Sequence, residues 1–214
     1  MVADEIAEQT KVGVVSARIV RTLVRMVLPL FGRMEIHGRE HLCDGGKLFV
    51  SNHIGWADPI WIAYACYPTV LHQMAKKELF SGALSAGILT GLGAFPVDRE
   101  RPSPGVIKYA AGLLRRGSWL LIFPTGTRDQ SQTEARRGAA LIALMASAPI
   151  IPVHYEGPTN IGFVHLIKRP KISVRFGPKI EARRSSHDRR MSADLTGALD
   201  IAILDLAALS KPID

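Results

Sequence analysis

His53 and Asp58 are the pair in this chain best suited to move a proton. They sit in the run Ser51, Asn52, His53, Ile54, Gly55, Trp56, Ala57, Asp58, Pro59, directly after the apolar stretch 47–50. A neutral imidazole accepts a proton from a hydroxyl close to neutral pH. A carboxylate bonded to its other nitrogen fixes the tautomer and stabilises the cation that forms. This is two thirds of a hydrolase triad with no serine attached. The chemistry suggested is attack by a substrate hydroxyl on an acyl group that is already activated.

Five residues apart on a helix is about 140° around the axis, too far for the two side chains to meet. They meet only if 54–57 form a turn before a helix begins at Asp58. The competing reading is that Asp58 merely caps that helix, with Pro59 at the first helical position. No third ligand stands at a familiar spacing, so no metal is expected.

Three further clusters carry polar groups. Gly93 to Pro102 contains a strand-like segment ending in Arg99, whose guanidinium fork suits phosphate oxygens. Paired with Asp98 or Glu100, the same arginine would be only part of a solvated loop. Phe123 and Pro124 lead into Thr125, Gly126, Thr127 and Arg128, where turn amides and a cation could cradle an anion. The alternative there is a connecting loop that uses its glycine for backbone geometry. Residues 148–154 are apolar with two prolines and read as a core strand lining a pocket. Lys76 and Lys77 add positive charge before a helix start.

The surrounding elements must bring these clusters together. Strand-like segments at 34–37, 48–51, 70–75, 94–97, 119–123, 150–155 and 172–176 alternate with helical ones at 58–65, 79–89, 105–115, 137–146 and 192–209. That alternation predicts a single α/β domain with a mixed, largely parallel sheet flanked by helices. Chemistry in such sheets sits in the loops at strand C-terminal ends. His53, Arg99 and 125–128 all follow strands.

The chain has 214 residues, 47% hydrophobic, enough for one full core. With 27 Lys+Arg against 19 Asp+Glu, it favours anionic partners. Few aromatics and no nucleic-acid motif place nucleic acid last among them. Cys43 and Cys66 fit no metal spacing or disulfide framework, which predicts a reducing compartment. Residues 1–9 are acidic and precede no cleavage site, so no signal peptide is expected. Segment 12–31 is apolar but carries Arg18, Arg21 and Arg25 at helical spacing. Each arginine at mid-membrane costs about 2.5–3.5 kcal/mol on insertion scales, which argues against a span. Residues 1–31 are therefore expected to provide an amphipathic helix lying in the membrane interface, and 32–214 the catalytic domain. An ordinary helix packed on the domain is the alternative.

Together the clusters resemble the glycerolipid acyltransferase family typified by 1-acylglycerol-3-phosphate acyltransferases. Its first motif, Asn-His, four residues, then Asp, is met by Asn52, His53 and Asp58. Its second, Gly, five residues, then Arg, is met by Gly93 and Arg99. Its third, Phe-Pro-Glu-Gly-Thr-Arg, is met by Phe123, Pro124, Gly126, Thr127 and Arg128. Arg137 and Gly138 fit the basic residue and glycine that follow, and Val153 with the residues before it fits the fourth, apolar motif. Order and spacing agree over residues 34 to 180.

The resemblance implies acyl transfer from acyl-CoA or acyl-carrier-protein to the hydroxyl of a lysophospholipid, giving phosphatidic acid, with no cofactor. It implies His53 as general base and Asp58 as its orienter. It also implies Arg99, Arg128 and the 125–127 turn as the acceptor phosphate site, with Asn52, Lys77 and Arg137 as supporting residues. Anionic membrane is the expected surface, at its cytoplasmic face. One departure stands out. Thr125 replaces the usual Glu, which opens the possibility of another lysophospholipid or a phosphate-free acceptor. A lipid-binding protein without turnover is the non-enzymatic alternative.

Overall fold

The computed structural model describes residues 14–42, 44–98, 103–124, 129–182 and 188–209. Its elements follow the expected alternation. In chain order they are α1 (Val14–Val27), β1 (Arg33–His37), β2 (Lys47–Ser51), α2 (Asp58–Ala65), β3 (Leu71–Lys76), α3 (Ala83–Gly91) and β4 (Ala94–Val97). They continue with α4 (Pro104–Arg115), β5 (Trp119–Ile122), α5 (Asp129–Ala146), β6 (Ile150–Glu156), α6 (Phe163–Lys168), β7 (Lys171–Phe176) and α7 (Asp188–Ala208). The strands form a seven-stranded sheet in the order β1-β7-β6-β2-β5-β3-β4.

Five strands, β2 to β6, run parallel with one another. The pairing of β6 with β7 is antiparallel, while β7 and β1 are parallel to each other. The fold is therefore a single α/β domain with a mostly parallel mixed sheet, as expected. Central β2 is buried along its whole length, including Lys47 and Ser51. That explains its unbroken apolar run: a strand covered on both faces shows no alternation. Edge strand β1 alternates between exposed and half-buried positions instead.

Two cores fill the two faces. One joins β2, β4 and β5 to α4, α5 and α7 through Leu48, Phe95, Leu113, Leu120, Ala143 and Leu199. The other packs Phe49, Leu121, Ile151, Tyr155 and Val174 against α2 and the end of α1, with Trp61, Ile62 and Leu28 fully or nearly buried.

Several boundaries moved. The expected helix 79–89 is a 3-10 turn, Lys77–Phe80, followed by α3 beginning at Ala83. The break falls at Gly82, whose backbone is extended rather than helical. Helix α5 starts at Asp129, ahead of the expected 137. Six-residue α6 had no counterpart in the sequence reading, being too short to show a periodic face. The N-terminal helix ends at Val27 and tightens into a 3-10 turn, Leu28–Phe31, with Pro29 in it.

Of the arginines at helical spacing on α1, Arg21 donates to the carbonyl of Gly91 at 2.9 Å and Arg25 stacks over the Tyr67 ring at 3.6 Å, contacts that the packed-helix alternative requires. Exposed residues on this helix include Ile19, Leu23 and Met26. Among the described residues, no helix is long and apolar enough to cross a membrane.

Candidate active site

Strand β2 ends at Ser51, and the chain must leave the sheet for His53 to face a substrate. Asn52 manages the exit with its side chain. Its Nδ2 donates to the Tyr155 carbonyl at 2.8 Å, and its Oδ1 accepts from the Tyr155 amide at 2.8 Å. These are the two bonds a paired strand residue would make with backbone. The side chain makes them instead, so the backbone can turn while remaining tied to β6.

The turn at 54–57 then brings His53 and Asp58 together. Nδ1 of His53 lies 2.9 Å from Asp58 Oδ2. The same oxygen accepts from the amides of Ile54 at 2.7 Å and Gly55 at 3.2 Å. Asp58 is fully buried, and its other oxygen, Oδ1, has no hydrogen-bond partner among the described residues. The capping expectation needs correction here. Asp58 is the first residue of α2, the N-cap position is Ala57, and no side chain caps the helix. The carboxylate reaches back to amides that precede the helix, not to the N2 or N3 amides that a cap would take. One oxygen, Oδ2, gathers all three bonds.

Residues distant in sequence brace this turn. The Thr159 carbonyl accepts from Ala57 N at 3.3 Å. A Cβ on Gly55 would lie 2.0 Å from that carbonyl oxygen, so only glycine fits there. The hydroxyl of Tyr155 donates to the Pro158 carbonyl at 2.9 Å. Burial first, and then the Asp58 charge, push the Tyr155 phenol well above its ordinary value, keeping it a neutral donor. Phe123, directly after β5, stacks on the His53 ring with centroids 4.5 Å apart.

A carboxylate oxygen that already accepts two backbone N–H groups also accepts from Nδ1–H. That leaves the lone pair on Nε2. The His53 side chain is 28% exposed, enough for a substrate to reach it. The arrangement can therefore withdraw a proton from a hydroxyl and hold it as an oriented imidazolium. Among the described residues, no group of three His, Cys, Asp or Glu is placed to hold a metal ion.

Of the other residues singled out from sequence, Lys77 pairs with Asp98 at 2.5 Å. This ties the end of β3 to the end of β4, one residue before Arg99. Arg137 is exposed on α5, about two turns beyond the first residue of that helix. Arg99, Thr125, Gly126, Thr127 and Arg128 lie outside the described residues, as does Cys43. The strands leading to them, β4 and β5, end on the same sheet edge as β2. Cys66 is buried with its thiol free, and burial pushes that thiol far up.

Sequence reasoning did not single out Tyr155, Thr159 or Phe123 as parts of the site. Phe123 was visible as a motif position. Thr159 contributes only a backbone carbonyl, for which a sequence carries no signal.

A parallel sheet with an oriented His–Asp pair at its C-terminal edge is the scaffold of an α/β enzyme. Comparison with known proteins narrows the class. A family model described as Acyltransferase matches residues 33–156. The 1-acyl-sn-glycerol-3-phosphate acyltransferase of Bacillus subtilis (strain 168) is 35% identical over 186 residues, covering 86% of this chain and 92% of that protein. The enzyme of the same name from Streptococcus pneumoniae is 39% identical over 139 residues, 64% of this chain and 51% of its own length. The crystal structure of the LPA acyltransferase PlsC from Thermotoga maritima matches the fold with a TM-score of 0.65, covering 92% of this chain and 81% of that one. At 17% identity, that likeness is one of fold. The chain belongs to the acyltransferase family, and it is an acyltransferase enzyme.

Proposed function

We propose that this enzyme moves a fatty acyl group from an acyl thioester to the hydroxyl of 1-acylglycerol-3-phosphate, giving phosphatidic acid. The observation that carries the reading is the 2.9 Å contact of His53 Nδ1 with a buried carboxylate, while the neighbouring Ser51 is fully buried with its hydroxyl turned to Asn52 Oδ1. The names of the relatives at 35% and 39% identity support the acceptor.

In the proposed step, His53 Nε2 takes the proton of the acceptor hydroxyl as its oxygen attacks the thioester carbonyl. A carbon–oxygen bond forms, and the carbon–sulfur bond breaks as the intermediate collapses. The proton passes from Nε2 to the departing thiolate. Asp58 holds the ring and stabilises the imidazolium between these events. A thioester is activated enough that this step needs no metal or cofactor. Arg99, Arg128 and the 125–127 turn would bind the acceptor phosphate, with Arg137 adding positive charge and the Lys77–Asp98 pair anchoring the end of β4 one residue before Arg99. Acyl-CoA and acyl-carrier-protein are both anionic donors that suit a chain of net charge +8.

We place the enzyme at the cytoplasmic face of a membrane, held peripherally through α1. The support is the exposed Leu23 and Met26 on its outer side.

Purified enzyme given lysophosphatidate and either thioester should form phosphatidate. His53→Ala should lower turnover by roughly 10²–10⁴-fold, the usual worth of a general base, without changing the melting temperature. Full retained activity would remove His53 from the role of base. A second reading, in which the acceptor is another lysophospholipid or lacks phosphate, rests on Thr125 in place of the usual Glu. It predicts faster turnover with such an acceptor in the same assay.

A further inference from the structure

We propose that α6 is a second lipid-docking element, one that seats the catalytic turn on an anionic bilayer. This rests on the lipid-acceptor reading above, but on different residues from those of α1.

The first observation is exposure. Phe163 is 88% and Ile167 86% exposed, one helical turn apart, with Val164 half exposed between them. Large apolar side chains so placed on a six-residue helix stabilise nothing within the fold. The second is location. β7 runs antiparallel to β6, so its first residue, Lys171, lies at the C-terminal edge of the parallel strands. Helix α6 ends three residues before Lys171 and therefore sits at the His53 end of the sheet. It packs against the Leu28–Phe31 turn, where Leu30 is also exposed. Ile54 and Trp56, on the catalytic turn itself, are exposed as well.

Charge identifies the occupant. Arg33, Lys168 and Arg169 are all exposed around α6 and have no carboxylate partner among the described residues. Arg33 Nε and Arg169 Nη2 are bonded to backbone carbonyls, at Arg169 and Pro29, which fixes these cations beside the apolar residues. The acidic Glu35 nearby is offset by Lys171 at 2.9 Å. Apolar side chains that enter the acyl region, rimmed by cations at headgroup level, match a bilayer containing anionic lipid.

The structure also links this element to the chemistry. The segment between β6 and α6 carries Thr159, whose carbonyl braces Gly55 and Ala57. Docking of α6 therefore places the His53 turn at the level where a lysolipid presents its hydroxyl.

The test uses the full chain and sedimentation with vesicles of phosphatidylcholine and phosphatidylglycerol in equal amounts. Phe163→Asp combined with Ile167→Asp should weaken vesicle partition at least roughly tenfold. Melting temperature should hold, because both side chains are exposed. Leu204→Asp, on the opposite face and 69% exposed, should bind as the parent does. Leu23→Asp with Met26→Asp reports on α1 separately. Loss on the α6 variant alone, or on both, supports the proposal. Unchanged partition of the α6 variant overturns it, whatever the α1 variant does. Unchanged vesicle binding with activity lost only toward an acyl-carrier-protein donor would overturn it in favour of a protein partner. Turnover of a short-chain, water-soluble lysophosphatidate by the α6 variant tests the acyl-transfer reading independently. Normal turnover there, with weakened partition, separates docking from chemistry.

Discussion

Asp58 Oδ2 gathers three donors, one from the His53 ring and two from backbone amides, while Oδ1 is buried with none among the described residues. The amides fix the carboxylate before any substrate arrives, so the ring is oriented by a group that cannot itself swing. A buried acceptor left without a donor also makes a nearby positive charge more welcome. Both features favour the imidazolium that the proposed step creates. Asp58→Asn retains the shape and an oxygen for the amides but presents either the wrong group or a weaker acceptor to Nδ1. Turnover should fall by on the order of 10³-fold with little change in the Michaelis constant for the acceptor. Steady-state kinetics beside a melting curve measure this. A comparable fall in stability and activity together would mean that Asp58 acts through folding of the turn alone.

Between strand β2 and helix α2, the chain has only six residues in which to leave the sheet and build the turn. The element succeeds because β6 and the segment after it hold the turn from the side. Asn52 replaces two ladder bonds with Tyr155, and Thr159 supplies a carbonyl to Ala57. Removing the Asn52 amide would leave buried backbone N–H and C=O groups of Tyr155 unpaired. Asn52→Ala should therefore cost roughly 2–3 kcal/mol of stability. It should also lower turnover through misplacement of His53. Asn52→Asp, which retains the acceptor, should fall between the two in denaturant unfolding. If Asn52→Ala unfolds with the parental midpoint, the bridge is not holding the turn.

At the scale of the whole molecule, two half-buried histidines outside the catalytic pair, His72 and His154, bear on stability in acid. Burial holds His72 and His154 below the ordinary value of 6.5, with neighbouring arginines acting the same way. A group whose folded value is lowered binds fewer protons folded than unfolded in acid. Stability therefore rises with pH through that window. The contribution is fully present above about 6.5 and is lost as pH falls toward the folded values. Melting temperature should drop between neutral and mildly acidic buffer, and His72→Gln with His154→Gln should flatten that dependence. An unchanged slope in the double variant would assign the acid sensitivity to carboxylates such as Glu35, which Lys171 holds below its ordinary value.

The alternation of strands and helices was legible because buried parallel strands and amphipathic helices write different periods into a sequence. The His53–Asp58 pairing was legible too, since both partners fall within one short turn and need no distant help to be named. Local sequence could not decide which of two roles Asp58 takes, cap or orienter. That depended on where the carboxylate points once Ala57 and Gly55 are pinned by Thr159. Asn52 and Tyr155 are 103 residues apart, as Arg21 and Gly91 are 70 apart. Such contacts carry no periodic signal, because they follow from which strands become neighbours. The sequence by itself determined the chemistry available and the family that uses it. Only the tertiary structure decided that α1 turns two of its arginines onto the domain, and that α6 exposes its apolar residues at the His53 end of the sheet. Both depend on packing between elements, which composition and spacing leave open.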